Sequence, residues 1–264
     1  MPSTVFTRPV AIVTGALRGI GKSCALALAE SGFNVLLNDQ DRDEDRALSH
    51  QLIEEFGKLG AESIPFGADV ADLDQHKKIV EAALGRWGRL DCLVNNAGVS
   101  VRQRGDLLEV KPESFDHCMS VNAKAVFFLS QVVARHMIRQ GEIGGQHRSI
   151  INITSSNATA VSVTRGEYCI SKCASTMITK LFGVRLADEG IGVYEVRPGI
   201  IETEMTRPVK EKYDALIGDN LVPMRRWGFP SDVASTVRCM AEGRLRYTVG
   251  QAVVIDGGLT IPRF

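Results

Sequence analysis

The sequence predicts a doubly wound α/β domain, a seven-stranded parallel sheet with helices on both faces. Three observations lead there. Short runs rich in β-branched residues alternate with longer segments of helical period, the mark of repeated βαβ units. A glycine-rich turn joins the first run to the first helical segment, where such folds receive phosphate. The chain has 264 residues, 44% of them hydrophobic, with no linker, repeat or low-complexity tract, which fits one domain spanning 1–264.

Strands are expected at 9–14 (PVAIVT), 33–38 (FNVLLN), 62–67 (ESIPFG), 91–96 (DCLVNN), 149–154 (SIINIT), 192–197 (GVYEVR) and 252–257 (AVVIDG). Helices fill the intervals at 19–31, 43–59, 74–87, 113–140, 167–189 and 230–242, with a less regular piece at 203–220.

Composition narrows the function classes. With 31 basic and 31 acidic residues, no net charge draws the chain to nucleic acid or an anionic membrane. The N-terminal MPSTVFTRPVAIVTG has too short an apolar run for a signal peptide, and no segment offers the about 18 apolar residues of a membrane span. A cytoplasmic location is expected. The six cysteines (Cys24, Cys92, Cys118, Cys169, Cys173, Cys239) form no CxxC pair and read as buried free thiols. The five histidines form no metal-ligand spacing, so no metal is expected.

Between the first strand and helix stands TGALRGIG, residues 14–21, with Gly15, Gly19 and Gly21. Glycine there permits positive φ and close approach of the backbone to a pyrophosphate, and the helix N-terminus attracts the anion. The spacing is GxxxGxG, unlike the common GxGxxG, and a triplet alone also suits simple packing. Asp39 follows the second strand, eighteen residues past Gly21, near the distance at which an acid meets the adenosine ribose. Its charge favours NAD(H) over NADP(H), because a 2′-phosphate would face a like charge. Arg18 is the contrary signal, since a guanidinium in the turn could pair with that phosphate. Asp39 could also be a plain helix cap within DQDRDED.

Tyr168 and Lys172 lie one helical turn apart in GEYCISKCA, on the same face as Ser175 and Thr179. Ile170, Ala174, Met177, Ile178 and Leu181 gather on another side, so the wheel puts those five toward the core and Tyr168 and Lys172 outside it. A solvated pair is the plain reading of a lone YxxxK. However, Ser155 ends the strand in INITSSN thirteen residues earlier, and ligands bind at the carboxyl ends of strands in such sheets. A hydroxyl, a phenol and an ammonium then converge.

Together these motifs resemble those of the short-chain dehydrogenase/reductase family along nearly the whole chain. TGALRGIG is similar to the family's TGxxxGIG turn, NNAG (95–98) to its fourth-strand motif, and YCISK to its YxxxK. SVNAKA (120–125) supplies its helix asparagine as Asn122, RPGIIET (197–203) its PG turn, and RRWGFPSDVA and VVIDGG its C-terminal end. The resemblance implies a single-domain Rossmann fold and hydride transfer between a nicotinamide and a carbonyl or secondary alcohol, pro-S in stereochemistry. It implies that Ser155 holds the substrate oxygen, that Tyr168 is the acid or base, and that Lys172 lowers the phenol's pKa and binds the nicotinamide ribose. Asn122 would organise a water chain from Lys172 to solvent.

The same resemblance assigns the cofactor contacts. Gly15, Leu17, Arg18, Gly19, Ile20 and Gly21 form the turn, Asp69 and Val70 meet the adenine, and Asn96, Ala97 and Gly98 follow the adenosine side. Pro198, Gly199, Ile201 and Thr203 border the nicotinamide end, with Thr203 on the carboxamide. Leu17 departs from the family's usual small polar residue, removing a hydroxyl near the adenosine. Residues 204–224 are expected as a flap over the substrate and 99–110 as another wall, with Arg102, Arg104, Arg207, Lys210 and Lys212 either attracting an anion or simply solvated.

Among relatives the pattern resembles 3-oxoacyl-acyl-carrier-protein reductases. Asp39 keeps an NAD-dependent sugar, polyol or other secondary-alcohol dehydrogenase as the alternative, with a non-catalytic dinucleotide sensor more remote because Ser155, Tyr168 and Lys172 are all present. A homotetramer or homodimer is implied, pairing through the helices at 113–140 and 167–189 and the last strand.

Overall fold

The computed structural model describes residues 8–263; residues 1–7, on which part of the signal-peptide reading falls, lie outside the described residues. Seven parallel strands form one sheet in the order β3-β2-β1-β4-β5-β6-β7. They are β1 (Val10–Thr14), β2 (Asn34–Asp39), β3 (Ser63–Gly67), β4 (Cys92–Asn95), β5 (Arg148–Ile153), β6 (Ile191–Pro198) and β7 (Ala252–Ile255). Every expected strand is present, with ends displaced by up to two residues.

The helices are α1 (Gly19–Glu30), α2 (Asp43–Lys58), α3 (Leu73–Trp87), α4 (Pro112–Met119), α5 (Val126–Gln140), α6 (Gly166–Leu186), α7 (Lys210–Gly218) and α8 (Pro230–Ala241). Alternation along the strands divides the core in two. Ala11 and Val13 pack with α1, α2 and α8 through Ala25, Leu28, Leu52, Phe56, Val233 and Val237. Val10 and Ile12 pack with α3 and α5 through Ile79, Ala83, Leu129 and Val133. Both faces are covered, as an all-parallel sheet requires.

Two expectations need correction. The helix read as continuous over 113–140 is interrupted: Ser120–Ala125 is a π-helical segment between α4 and α5, a departure from regular winding often found at functional sites. Periodicity cannot register an extra residue per turn. The outward and inward faces of α6 are also reversed. Tyr168, Ser171, Lys172, Ser175 and Thr179 are buried, while Ile170, Met177, Leu181 and Val184 are 50–76% exposed. Of the five residues placed toward the core, only Ile178 is buried and Ala174 partly so.

The cysteines are all unpaired, as expected, but burial is uneven. Cys24, Cys92 and Cys118 are buried, Cys169 and Cys239 are half-buried, and Cys173 lies exposed on the outer face of α6. No described helix is long and apolar enough to cross a membrane.

Candidate active site

Strand order reverses between β1 and β4, and a cleft of about 800 Å³ opens at the carboxyl ends of the strands there. At one end lies the glycine turn. Gly15 and Gly19 have φ of +61° and +51°, which glycine adopts without strain. At Gly21 a Cβ would stand 1.9 Å from the Gly15 carbonyl oxygen, so only glycine lets the helix sit this close. Asn96 ties the turn to β4 by donating its amide to the carbonyls of Thr14 and Gly15 at 2.9 and 3.0 Å.

Asp39 reaches the same end of the cleft from β2 and accepts the backbone N–H groups of Gln40 and Leu17 at 2.9 and 3.3 Å. Burial pushes its carboxyl above the ordinary carboxylate range, and those two N–H groups pull it back. Arg18 lines the cleft but is held by acids: Asp45 at 2.7 Å, Glu44 at 3.4 Å and Glu204 at 3.7 Å. Leu17 turns its side chain into the core, so the departure noted there lies in the backbone of the turn and not in the cleft wall.

The other end brings together a hydroxyl, a phenol and an ammonium. Ser155 follows β5, and its hydroxyl accepts the Asn157 N–H at 3.1 Å. Ser155 also acts on the Tyr168 phenol: burial raises the phenol's pKa, while Ser155 and then Arg165 lower it. The Lys172 ammonium lies 5.8 Å from the centre of the Tyr168 ring and donates to the Ile153 carbonyl at 3.2 Å. Burial lowers its pKa to about 8, against the pull of the acidic groups of Cys118 and Glu195. Gly98 packs against both Lys172 Nζ and Asn122 Oδ1, each 3.2 Å from where a Cβ would be.

Asn122 sits fully buried in the π-helical segment. Its side chain accepts the Val99 N–H and donates to the Val99 carbonyl and the Ser171 hydroxyl, all at 2.9 Å. Its own carbonyl accepts the Ser175 hydroxyl. The extra residue of the π-turn thus locks α6 to the loop after β4.

Of the expected contacts, Gly15, Arg18, Gly19, Ile20, Asp39, Asn96, Ala97, Gly98, Ser155, Tyr168, Lys172, Pro198, Gly199, Ile201 and Thr203 line the cleft. Leu17, Gly21, Asp69, Val70 and Asn122 are not part of that lining; Asp69 is exposed and the other four are buried. Asp69 caps the next turn by accepting the Ala71 N–H at 2.9 Å, and Val70 packs with Val121 and Ala125.

Two groups were not singled out by sequence pattern. Glu195 of β6 is buried and gathers Thr154 and Thr176 hydroxyls at 2.6 and 2.9 Å and the Arg197 guanidinium at 2.8 Å. It joins the strand end beside Ser155 to the turn of α6 that follows Lys172. Its signal was a pair of opposite charges, Glu195 and Arg197, inside a strand otherwise without charge. Arg165, which opens α6, has its Cζ 5.3 Å from the Tyr168 ring centre; its only signal was a place three residues before the tyrosine.

A glycine turn at a helix start, a carboxylate at the end of β2 and a buried Ser–Tyr–Lys group share one cleft, the arrangement of a dinucleotide-dependent oxidoreductase. Residues 15–260 match the family model described as Enoyl-(Acyl carrier protein) reductase, and the chain belongs to the short-chain dehydrogenase/reductase family. It is 35% identical to 3-oxoacyl-[acyl-carrier-protein] reductase of Thermotoga maritima, over 96% of this chain and 98% of that one. It is 34% identical to 2-dehydro-3-deoxy-D-gluconate 5-dehydrogenase of Dickeya dadantii, over 94% of each. The crystal structure of a 3-oxoacyl-[acyl-carrier protein] reductase from Brucella melitensis in complex with NAD superposes with a TM-score of 0.92 at 44% identity, covering 97% of this chain and 99% of that one.

Proposed function

We propose that the protein transfers a hydride reversibly between NAD(H) and a carbonyl or secondary alcohol, in the manner of a 3-oxoacyl-acyl-carrier-protein reductase, with Tyr168 exchanging the proton. The observation that carries this reading is the convergence of Ser155, Tyr168 and Lys172 at the end of the cleft opposite Asp39. The nicotinamide, once bound, supplies or accepts the hydride, on its pro-S face.

The chain's own groups do the rest. The Ser155 hydroxyl holds the substrate oxygen, and the Tyr168 phenol gives or takes the proton at that oxygen. The ammonium of Lys172, fixed by the Ile153 carbonyl, binds the nicotinamide ribose and favours the phenolate. Asn122 links Lys172 to solvent through water, its amide holding Val99 and Ser171 around that path. Gly15, Leu17, Arg18, Gly19, Ile20 and Gly21 cradle the pyrophosphate side, Asp69 and Val70 face the adenine, and Asn96, Ala97 and Gly98 the adenosine. Pro198, Gly199, Ile201 and Thr203 hold the nicotinamide end, with 204–224 folding over the substrate.

Asp39 supports NAD(H): its carboxylate lines the adenosine end, and Arg18 is already engaged by three acids, which weakens it as a partner for a 2′-phosphate. That preference also favours the second reading, an NAD-dependent sugar, polyol or other secondary-alcohol dehydrogenase. Assembly as a homotetramer or homodimer is supported by the apolar outer face of α6, and a cytoplasmic location by the family. Neither nucleic acid nor membrane is a partner in this reading.

Titration calorimetry of NAD(H) and NADP(H) on wild type and Asp39→Ala tests it. NAD(H) should bind tighter to wild type, and the variant should lose about 10- to 100-fold of that affinity, the worth of hydrogen bonds to a charged group. Tighter NADP(H) binding would mean that Arg18 outweighs Asp39.

A further inference from the structure

Beyond Tyr168 the cleft is walled by the loop after Ser155 and the loop after β4, and each contributes an arginine, Arg165 and Arg104. Arg165 is half-buried and donates from Nη2 to Asn157 Oδ1 at 2.7 Å and from Nε to Ser162 Oγ at 3.2 Å. These bonds aim the guanidinium but neutralise nothing, because both partners are uncharged. They leave three of its five N–H groups for another acceptor.

Of the other cations lining the cleft, Arg42 lies 3.7 Å from Glu44 and Lys172 is committed to the Ile153 carbonyl. Glu204 lies within 3.7 Å of both Arg18 and Arg207, and Lys210 pairs with Asp214 at 3.0 Å while lying over Trp227. Asp39 is at the far end. Among the described residues no carboxylate lies within ion-pair distance of Arg165 or Arg104. Leaving the half-buried Arg165 guanidinium without a counter-charge has a cost; its planar fork matches a carboxylate or a phosphate, and of these a carboxylate can stand within a few bonds of a reacting carbonyl in a small substrate.

We propose that Arg165 and Arg104 form an anion subsite, and that the substrate is a small oxo or hydroxy acid whose carboxylate docks there while its carbonyl or hydroxyl faces Ser155 and Tyr168. This rests on the hydride-transfer reading above. The short distance from Arg165 to the Tyr168 ring places the carboxylate within a few bonds of the reacting carbon. A 3-oxoacyl thioester is uncharged over that stretch. Arg165 also favours the ionised phenol, so its charge serves proton exchange as well as docking.

The test is equilibrium binding to the cofactor-saturated protein of short-chain oxo and hydroxy acids, each beside its methyl ester and its N-acetylcysteamine thioester. At least one acid should bind about 10- to 100-fold tighter than its own ester. Arg165→Met should erase that ratio and move the onset of alcohol oxidation to higher pH, with Arg165→Lys restoring part of both. Arg104→Met, at an exposed position that the fold does not need, should reduce the ratio without loss of folding. Esters that all bind as well as their acids, or an acid preference that survives both methionine variants, would overturn the proposal. Tyr168→Phe separates the two levels: it should abolish turnover and keep the acid-to-ester binding ratio, whereas turnover that persists counts against the hydride-transfer reading alone.

Discussion

α1 and α6 both border the cleft and both lean on the sheet, yet they bury opposite kinds of surface. α1 turns Gly21, Cys24, Ala25, Leu28 and Ala29 inward, small and apolar, and follows the ordinary rule of an amphipathic helix. α6 turns a tyrosine, a lysine, two serines and a threonine inward and leaves Ile170, Met177, Leu181 and Val184 outside. On α1 the pattern serves packing, and the cofactor contact comes from the turn before it. On α6 the buried polar groups include Tyr168 and Lys172, to which the proposed function gives the proton exchange, and the exposed apolar stripe is the face that the proposed assembly would cover.

The contrast can be broken from either side. Lys172→Met strikes the inward face hardest: turnover should fall by about two orders of magnitude or more, the range of general acid–base contributions. Burial already raises the phenol's pKa. Removing a neighbouring positive charge raises it further, so alcohol oxidation, which needs the phenolate, should begin at higher pH. A profile that stays in place would argue that Lys172 only fills space.

Glu195→Ala leaves the half-buried Arg197 without its partner and frees Thr154 and Thr176. Breaking such a pair costs about 3–5 kcal/mol, to be read from urea unfolding. An unchanged midpoint would mean that the network behind Lys172 contributes nothing to holding it.

Leu181→Glu acts on the outward face. It should lower the sedimenting mass of the assembly while changing the unfolding free energy of the chain by no more than about 0.5 kcal/mol, as at a surface site. An unchanged mass would remove α6 from the subunit interface.

His147 supplies the smallest effect and a control: a buried polar group remote from the cleft. Burial, then Arg246 and Arg148, push its imidazole down to about 4, and its Nε2 meets the Tyr194 hydroxyl at 3.0 Å. The unfolded chain takes up a proton near the ordinary value of 6.5, the folded chain only near 4. The stability that His147 contributes is therefore complete above about pH 6.5 and is lost as pH falls toward 4. The melting temperature of wild type should decline over that window more steeply than that of His147→Gln, with no change in the pH dependence of turnover.

The strands and α1 were legible because burial against a sheet leaves a period in the residues: β1 alternates between the two halves of the core, and Gly15, Gly19 and Gly21 stand where backbone must approach backbone. Ser155, Tyr168 and Lys172 were legible through strand ends and helical spacing. The faces of α6 were not, because a hydrophobic wheel sends polar residues to solvent, whereas Ser171, Lys172, Ser175 and Thr179 find hydrogen-bond partners inside the chain at Asn122, Ile153 and Asn152. The π-turn at Asn122, the Glu195 network and Arg165 were hidden for a related reason. The first two depend on contacts between segments far apart in sequence, which local spacing does not encode; Arg165 makes its contacts locally, through a loop turn that has no helical or strand period.

Deuterium transfer tests the central claim most directly. With NADH deuterated at the pro-S position and a carbonyl substrate, the label should appear at the carbinol carbon of the product with wild type. It should not appear with Tyr168→Phe, although both proteins bind NADH equally. Label appearing at the wild-type rate in the phenylalanine variant, or no transfer by a wild type that turns the substrate over, would contradict the account.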